Sequence, residues 1–182
     1  EGITEIGSNA FRGMVNIEGT LDIPEGVTRI GGGAFRGCEK LSGELKLPST
    51  LKTVDDSAFE HAGMFTGTLV IPEGTEKIGD CAFYECSSLS SIAIPDGVTS
   101  IGSWAFAYSG IRSIEIPDGV TRIEEATFKG NKIKEIEWSE NLTYIGANAF
   151  ESNKFTTLTL PAGVTEVGNK AFAYCSDMTE VT

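Results

Sequence analysis

Ile92-Ala93-Ile94-Pro95-Asp96-Gly97-Val98-Thr99-Ser100-Ile101-Gly102-Ser103-Trp104-Ala105-Phe106 is one unit of a pattern that runs through the chain. Ile92 and Ile94 stand two apart, so both face one side of a strand, with Ser91 and Ala93 on the other. Pro95 ends that strand, because it has no N–H to give to a ladder. Pro95-Asp96-Gly97 is turn chemistry: proline presets φ, and the glycine is expected to supply a positive φ. Val98 and Ile101, three apart, break strict alternation and predict a short strand or a bend. Gly102 allows another corner. Trp104-Ala105-Phe106 is expected to begin one short helical turn, with Ala105 against the neighbouring coil and Phe106 in the interior.

The same order recurs on both sides. Ala-Phe ends at Phe11, Phe35, Phe59, Phe83, Phe106, Phe150 and Phe172, and Phe128 keeps the phase behind Thr127. The spacings are 24, 24, 24, 23, 22, 22 and 22 residues, so eight of the ten phenylalanines share one column. All six prolines share another (Pro24, Pro48, Pro72, Pro95, Pro117, Pro161), and Ser139 fills the one vacancy. The second residue after proline is Gly26, Gly74, Gly97, Gly119 or Gly163, with Asn141 where proline is missing and Thr50 as the exception. A unit this short cannot bury its own apolar face, so stacked neighbours must bury it, which makes a solenoid. With strands about 4.8 Å apart, seven or eight coils span roughly 35–40 Å. The predicted fold class is α/β: a right-handed solenoid of 22–24 residues per coil, mostly parallel β with short helical or 3-10 turns. Residues 1–182 are read as one solenoid domain. Neither end shows a polar cap, so the reading expects a piece of a longer protein.

The repeat resembles the leucine-rich repeats of the BspA-like, or Treponema pallidum, type. The residues that carry the resemblance are Ile94-Pro95-x-Gly97-Val98-Thr99-x-Ile101-Gly102-x-x-Ala105-Phe106, with equivalent strings from Ile23 to Phe35, Ile116 to Phe128 and Leu160 to Phe172. Departures are Trp138-Ser139 for Ile-Pro, Asp55 and Glu124 for a glycine, Thr75 for a core Val, and Phe65, Phe155 and Met178 for a closing Leu or Ile. The resemblance implies a non-catalytic, extracellular or cell-surface bacterial protein, an adhesin or matrix binder. It implies no catalytic residues and no cofactor. Its partner would be a protein or glycan, with host extracellular matrix as one source. A structural spacer that presents another domain is the alternative.

Composition narrows the partners. With 14 Lys+Arg against 26 Asp+Glu the net charge is −12, which disfavours nucleic acid and anionic lipid. No apolar run is long enough for a transmembrane helix, so no direct membrane insertion is expected of this segment.

Several residue groups could carry chemistry. Cys38, Cys86 and Cys175 sit three residues after a column phenylalanine, where other units carry Met14, Ala62, Ser109, Asn131 and Asn153. That reads as a small, buried slot with cysteine acting as a hydrophobe. Cys81 shares a coil with Cys86, and neither a disulfide nor a metal site is favoured. His61, the single histidine, falls in a variable column without a nucleophile motif near it. Glu1, Glu25, Glu73, Asp96, Asp118 and Glu140 form an acidic column after proline, read as turn residues in preference to a calcium site. The outward strand columns should form the concave face. They are rich in Thr and Ser, without aromatic anchors, and carry an acidic patch at Glu115, Glu135 and Glu137. Tyr84, Trp104 and Tyr108 should cluster on the edge beside Phe83 and Phe106, where an aromatic platform can stack sugars or anchor protein contacts. Those six residues are the candidate partner-binding positions, and Trp138 is assigned to the core.

Overall fold

The computed structural model describes residues 2–182; Glu1, the first member of the acidic column, lies outside them. The chain forms a parallel-strand β-solenoid of about eight turns. Its strands fall into two rows. One row follows the proline turns: β1 (Glu5–Ile6), β2 (Arg29–Ile30), β4 (Thr53–Val54), β7 (Lys77–Ile78) and β9 (Ser100–Ile101) form a five-stranded parallel sheet, and β11 (Arg122–Ile123), β13 (Tyr144–Ile145) and β15 (Glu166–Val167) a three-stranded one. The other row precedes the prolines and holds β3 (Ser42–Gly43), β5 (Met64–Phe65), β6 (Gly67–Val70), β8 (Leu89–Ala93), β10 (Ser113–Glu115), β12 (Glu135–Glu137), β14 (Thr157–Leu158) and β16 (Glu180–Val181). This second row pairs only two by two: β3–β5, β6–β8, β10–β12 and β14–β16. No helix among the described residues is long and apolar enough to cross a membrane.

Between the rows one continuous core runs from Ile6 to Cys175. Phe59, Phe83, Phe106, Phe128 and Phe150 have no solvent exposure. The eight column rings stack from Phe11 to Phe172 in seven consecutive near-parallel pairs. Phe83 and Phe106 lie 5.3 Å apart at 4°, and Phe106 and Phe128 lie 5.8 Å apart at 6°. These separations are those of offset stacking, which adds about 0.5–1.5 kcal/mol per pair to the burial of the rings.

The expected helical or 3-10 turn at the phenylalanine edge is absent, and with it the α/β class. The reason is in the backbone. Residues two before and two after each interior phenylalanine have left-handed φ: Ser57 and His61 around Phe59, Cys81 and Glu85 around Phe83, Trp104 and Tyr108 around Phe106, Asn148 and Ser152 around Phe150. A right-handed helix admits none of these. Alternate N–H groups also leave the coil. Trp104, Phe106 and Tyr108 donate to the carbonyls of Glu125, Thr127 and Lys129 in the next coil, while Ala105 and Ala107 close tight turns onto Gly102 and Trp104. The edge is therefore a chain of turns cross-linked three times to its neighbour.

A second correction concerns the glycines after proline. Gly26 has φ of +99°, as expected. Gly74, Gly97, Gly119 and Gly163 do not adopt the left-handed region. At Gly119 the preceding coil passes too close for a side chain: a Cβ would stand 2.5 Å from the carbonyl oxygen of Asp96 and 2.6 Å from that of Val98, whereas at Gly97 and Gly163 the nearest carbonyl oxygen would be 3.1 and 3.0 Å away and at Gly74 the nearest atom is the tip of the Lys52 side chain.

The slot three residues after phenylalanine is polar in function. Ser109 Oγ donates to Phe83 O at 2.7 Å, and Asn131 Nδ2 donates to Phe106 O at 2.8 Å and Phe128 O at 2.9 Å. Asn131 Oδ1 accepts the N–H groups of Ser109 and Ile111, and Asn153 repeats the pattern one coil on. The thiols of Cys38, Cys86 and Cys175 make the same contact to Phe11 O, Phe59 O and Phe150 O. Burial pushes the Cys86 thiol up to about 12, so it stays a protonated donor. All four cysteines are free.

Phe106→Ala should cost about 3–5 kcal/mol in chemical denaturation, because two stacked neighbours lose their partner. Tyr144→Ala should cost about 1 kcal/mol or less, since it removes chiefly the Arg122 guanidinium stacked 3.8 Å from its ring; equal losses would overturn the assignment of the columns. Asn131→Ala should cost about 3 kcal/mol by orphaning buried backbone groups on two coils, and Asn131→Ser, which keeps a donor, distinctly less. Ser152→Gly should raise stability by about 1 kcal/mol, because it relieves a φ of +61° while the bond to Ala173 O stays; a loss on the same denaturation curve would show that this conformation carries no strain.

Candidate functional site

The turn edge brings Tyr84, Trp104 and Tyr108 together. Tyr84 meets Trp104 at a 6.1 Å centroid distance and Tyr108 at 5.9 Å, both edge to face. Two of the three owe their direction to the left-handed backbone at positions 104 and 108, which turns those side chains away from the core. Tyr108 lies over Gly130, where a Cβ would fall 2.2 Å from its ring atoms. Burial first, then the Glu85 carboxylate, pushes the Tyr84 phenol up to about 12, so it remains a neutral donor.

Charged groups rim this cluster. Lys129 Nζ lies 5.4 Å from the Trp104 ring centroid and pairs with Glu151 at 2.9 Å. The Glu151 hydrogen bond raises the Lys129 pKa, which keeps the ammonium charged. His61, which sequence reasoning set aside, joins the cluster from the preceding coil. Its ring stands edge-on to Tyr84 at 5.3 Å, and its Nδ1 is 3.2 Å from Glu85. The signal that could have found it was the column itself, since His61, Glu85 and Tyr108 all stand two after a phenylalanine.

On the strand row, register places Glu115 beside Glu137 and Ser113 beside Glu135. Glu115, Glu135 and Glu137 line one shallow opening with Ile92, Ser113 and Ile114. The acidic patch and the aromatic cluster are thus two surfaces, on the strand row and on the turn edge respectively. The carboxylates after proline serve turns: Glu25 accepts the N–H and hydroxyl of Ser49, which lowers its pKa, and Asp118 accepts the N–H of Glu140. Among the described residues no three His, Cys, Asp or Glu side chains converge as metal ligands would.

Trp138 is where sequence reasoning missed a surface feature. It is half-buried at a core position, edge-on to Phe150 at 5.5 Å and Phe172 at 6.5 Å. Phe155 packs against the same two rings at 6.0 and 6.1 Å. Two residues larger than the usual Ile and Leu therefore fill one stretch of interior. Above them no backbone hydrogen bond joins β12 to β14; the Trp138 indole N–H donates to Thr159 O at 3.0 Å instead. A groove of about 600 Å³ opens there, lined by Ile136, Trp138, Phe155, Leu158 and Leu160 with Lys134, Glu135, Thr157 and Thr159 at its rim.

The geometry has solved counterparts. A leucine-rich repeat protein from Bacteroides ovatus superposes with a TM-score of 0.71 at 23% identity, over 98% of this chain and 58% of that one. The chain thus spans somewhat over half the length of that protein. The leucine-rich repeat protein of T. pallidum superposes with a TM-score of 0.70 at 28% identity, over 97% of this chain and 72% of that one. No curated protein matches the chain. The BspA type leucine rich repeat region matches in six copies, over residues 4–68 and 62–179. With its phenylalanine column, its proline turns and that match along nearly its whole length, the chain belongs to the BspA-type leucine-rich repeat family.

Proposed function

We propose that this chain is a non-catalytic, extracellular recognition module of a bacterial surface protein, which binds a protein or glycan partner through a rigid solenoid face. The observation that carries the reading is the Tyr84–Trp104–Tyr108 cluster. Three large aromatic side chains meet at an edge whose backbone is cross-linked to the next coil at each turn. Aromatic groups on a rigid support lose little freedom on binding, and such groups dominate the energetics of interfaces. The acidic patch at Glu115, Glu135 and Glu137 supports a second contact to a basic or polar partner. Membership of a repeat family whose members generally mediate protein binding agrees with this assignment.

A structural spacer is the competing reading, favoured by the uninterrupted phenylalanine stack, which stiffens the rod without needing a ligand. Cells displaying the intact protein separate the two. Tyr84/Trp104/Tyr108→Ala or Glu115/Glu135/Glu137→Lys should lower adhesion to immobilised matrix protein or glycan by about tenfold or more. Adhesion unchanged in both sets, with folding intact by circular dichroism, would leave the spacer.

A further inference from the structure

Among the described residues the strand row opens at several places, and they are not alike. Paired strands alternate with unpaired ones: β8 is not laddered to β10, Lys46 is not laddered to Val70, and β12 is not laddered to β14. β8 and β10 remain closer neighbours than β12 and β14. The opening beside Glu115 is about 230 Å³ and walled by short or acidic side chains. The one beside Val70 has no aromatic wall. The β12–β14 groove, at about 600 Å³, has an indole along its floor.

We propose that the β12–β14 groove docks an extended, basic peptide segment of a partner protein; this rests on the recognition reading above and names the partner's chemistry. Three observations converge on it. First, β12 is fully registered with β10 and β14 with β16, so each strand has one satisfied side and one side without a strand partner. The N–H and C=O groups on those open sides are what an added strand pairs with. Second, Ile136, Trp138, Leu158 and Leu160 form an apolar trough beneath those edges, which takes every second side chain of an extended peptide. Third, the charge around the groove selects the peptide's other side chains. Glu135 stands at the rim, Glu137 and Glu115 lie side by side next to it, and Lys134 is the one cation of the lining. On a chain of net charge −12, that arrangement favours lysine or arginine at alternate positions. A sugar would satisfy the trough, but a row of amide and carbonyl groups reads a polypeptide main chain.

The test is calorimetric titration of the native chain with acetylated, amidated Lys-Val-Lys-Ile-Lys-Val-Lys. Saturable binding at one site is expected, with Kd on the order of 10–100 µM. N-methylation of alternate amides, which leaves the side chains but removes strand donors, should weaken it about tenfold or more. The same peptide with Glu for Lys should not bind. Trp138→Ile puts the residue found before Pro24, Pro72, Pro95 and Pro117 in place of the indole, removes the floor of the trough, and should weaken binding about tenfold or more. No heat up to about 1 mM peptide overturns the proposal. Equal affinity for the N-methylated peptide overturns it too, and that arm needs no variant to fold. Loss of adhesion on charge reversal or aromatic removal together with no peptide binding would leave the recognition reading standing and this inference fallen.

Discussion

Cross-linking between coils at the phenylalanine edge is the constraint that everything else obeys. At each step three N–H groups of one coil, the phenylalanine's and those two residues to either side, bond to carbonyls of the next. The ring between them can point only inward, onto the ring of the neighbouring coil. Left-handed φ at the flanking positions is the conformational cost of presenting alternate N–H groups along the solenoid axis. Among the described residues twelve non-glycine positions carry it, at about 1–2 kcal/mol each. The edge is rigid because it is strained and cross-linked together. That rigidity lets it hold Tyr84, Trp104 and Tyr108 in fixed relation.

What could be read in advance follows from this one-dimensional logic. The phenylalanine and proline columns recur at 22–24 residues, and a repeat that short leaves stacking as the way to bury its apolar face. Strand, turn and core positions were therefore legible from Ile92, Pro95 and Phe106. The handed turns were not. Left-handed conformations usually announce themselves as glycine or asparagine. Here Ser57, Cys81, Glu85, Trp104 and Lys170 adopt them, because the neighbouring coil imposes the conformation. A helical turn was the natural local reading of Trp104-Ala105-Phe106, and bonds to residues 22 positions away overrode it.

The polar column shows the same limit from the other side. Cys38, Ser109, Asn131, Asn153 and Cys175 share little but size, which suggested a hydrophobic slot. Their common property is one donor aimed at the phenylalanine carbonyl of the preceding coil. The asparagines were the available signal. A buried carboxamide needs partners for both ends, and the orphan backbone groups of a tight turn are such partners.

Trp138 joins the core and the surface in one argument. The position before proline elsewhere carries isoleucine or leucine. Replacing it with tryptophan, and the closing residue of the following coil with Phe155, puts two extra rings around Phe150 and Phe172. Above these rings β12 and β14 share no backbone hydrogen bond. The solenoid stays whole because the phenylalanine edge and the β11–β13–β15 sheet remain bonded through the same coils. There the strand row carries a groove with open strand edges and an acidic rim. A repeat fold buries a uniform core by being uniform. At the coils that carry Trp138 and Phe155 this chain departs from uniformity, and the stack on either side is strong enough to hold the departure open.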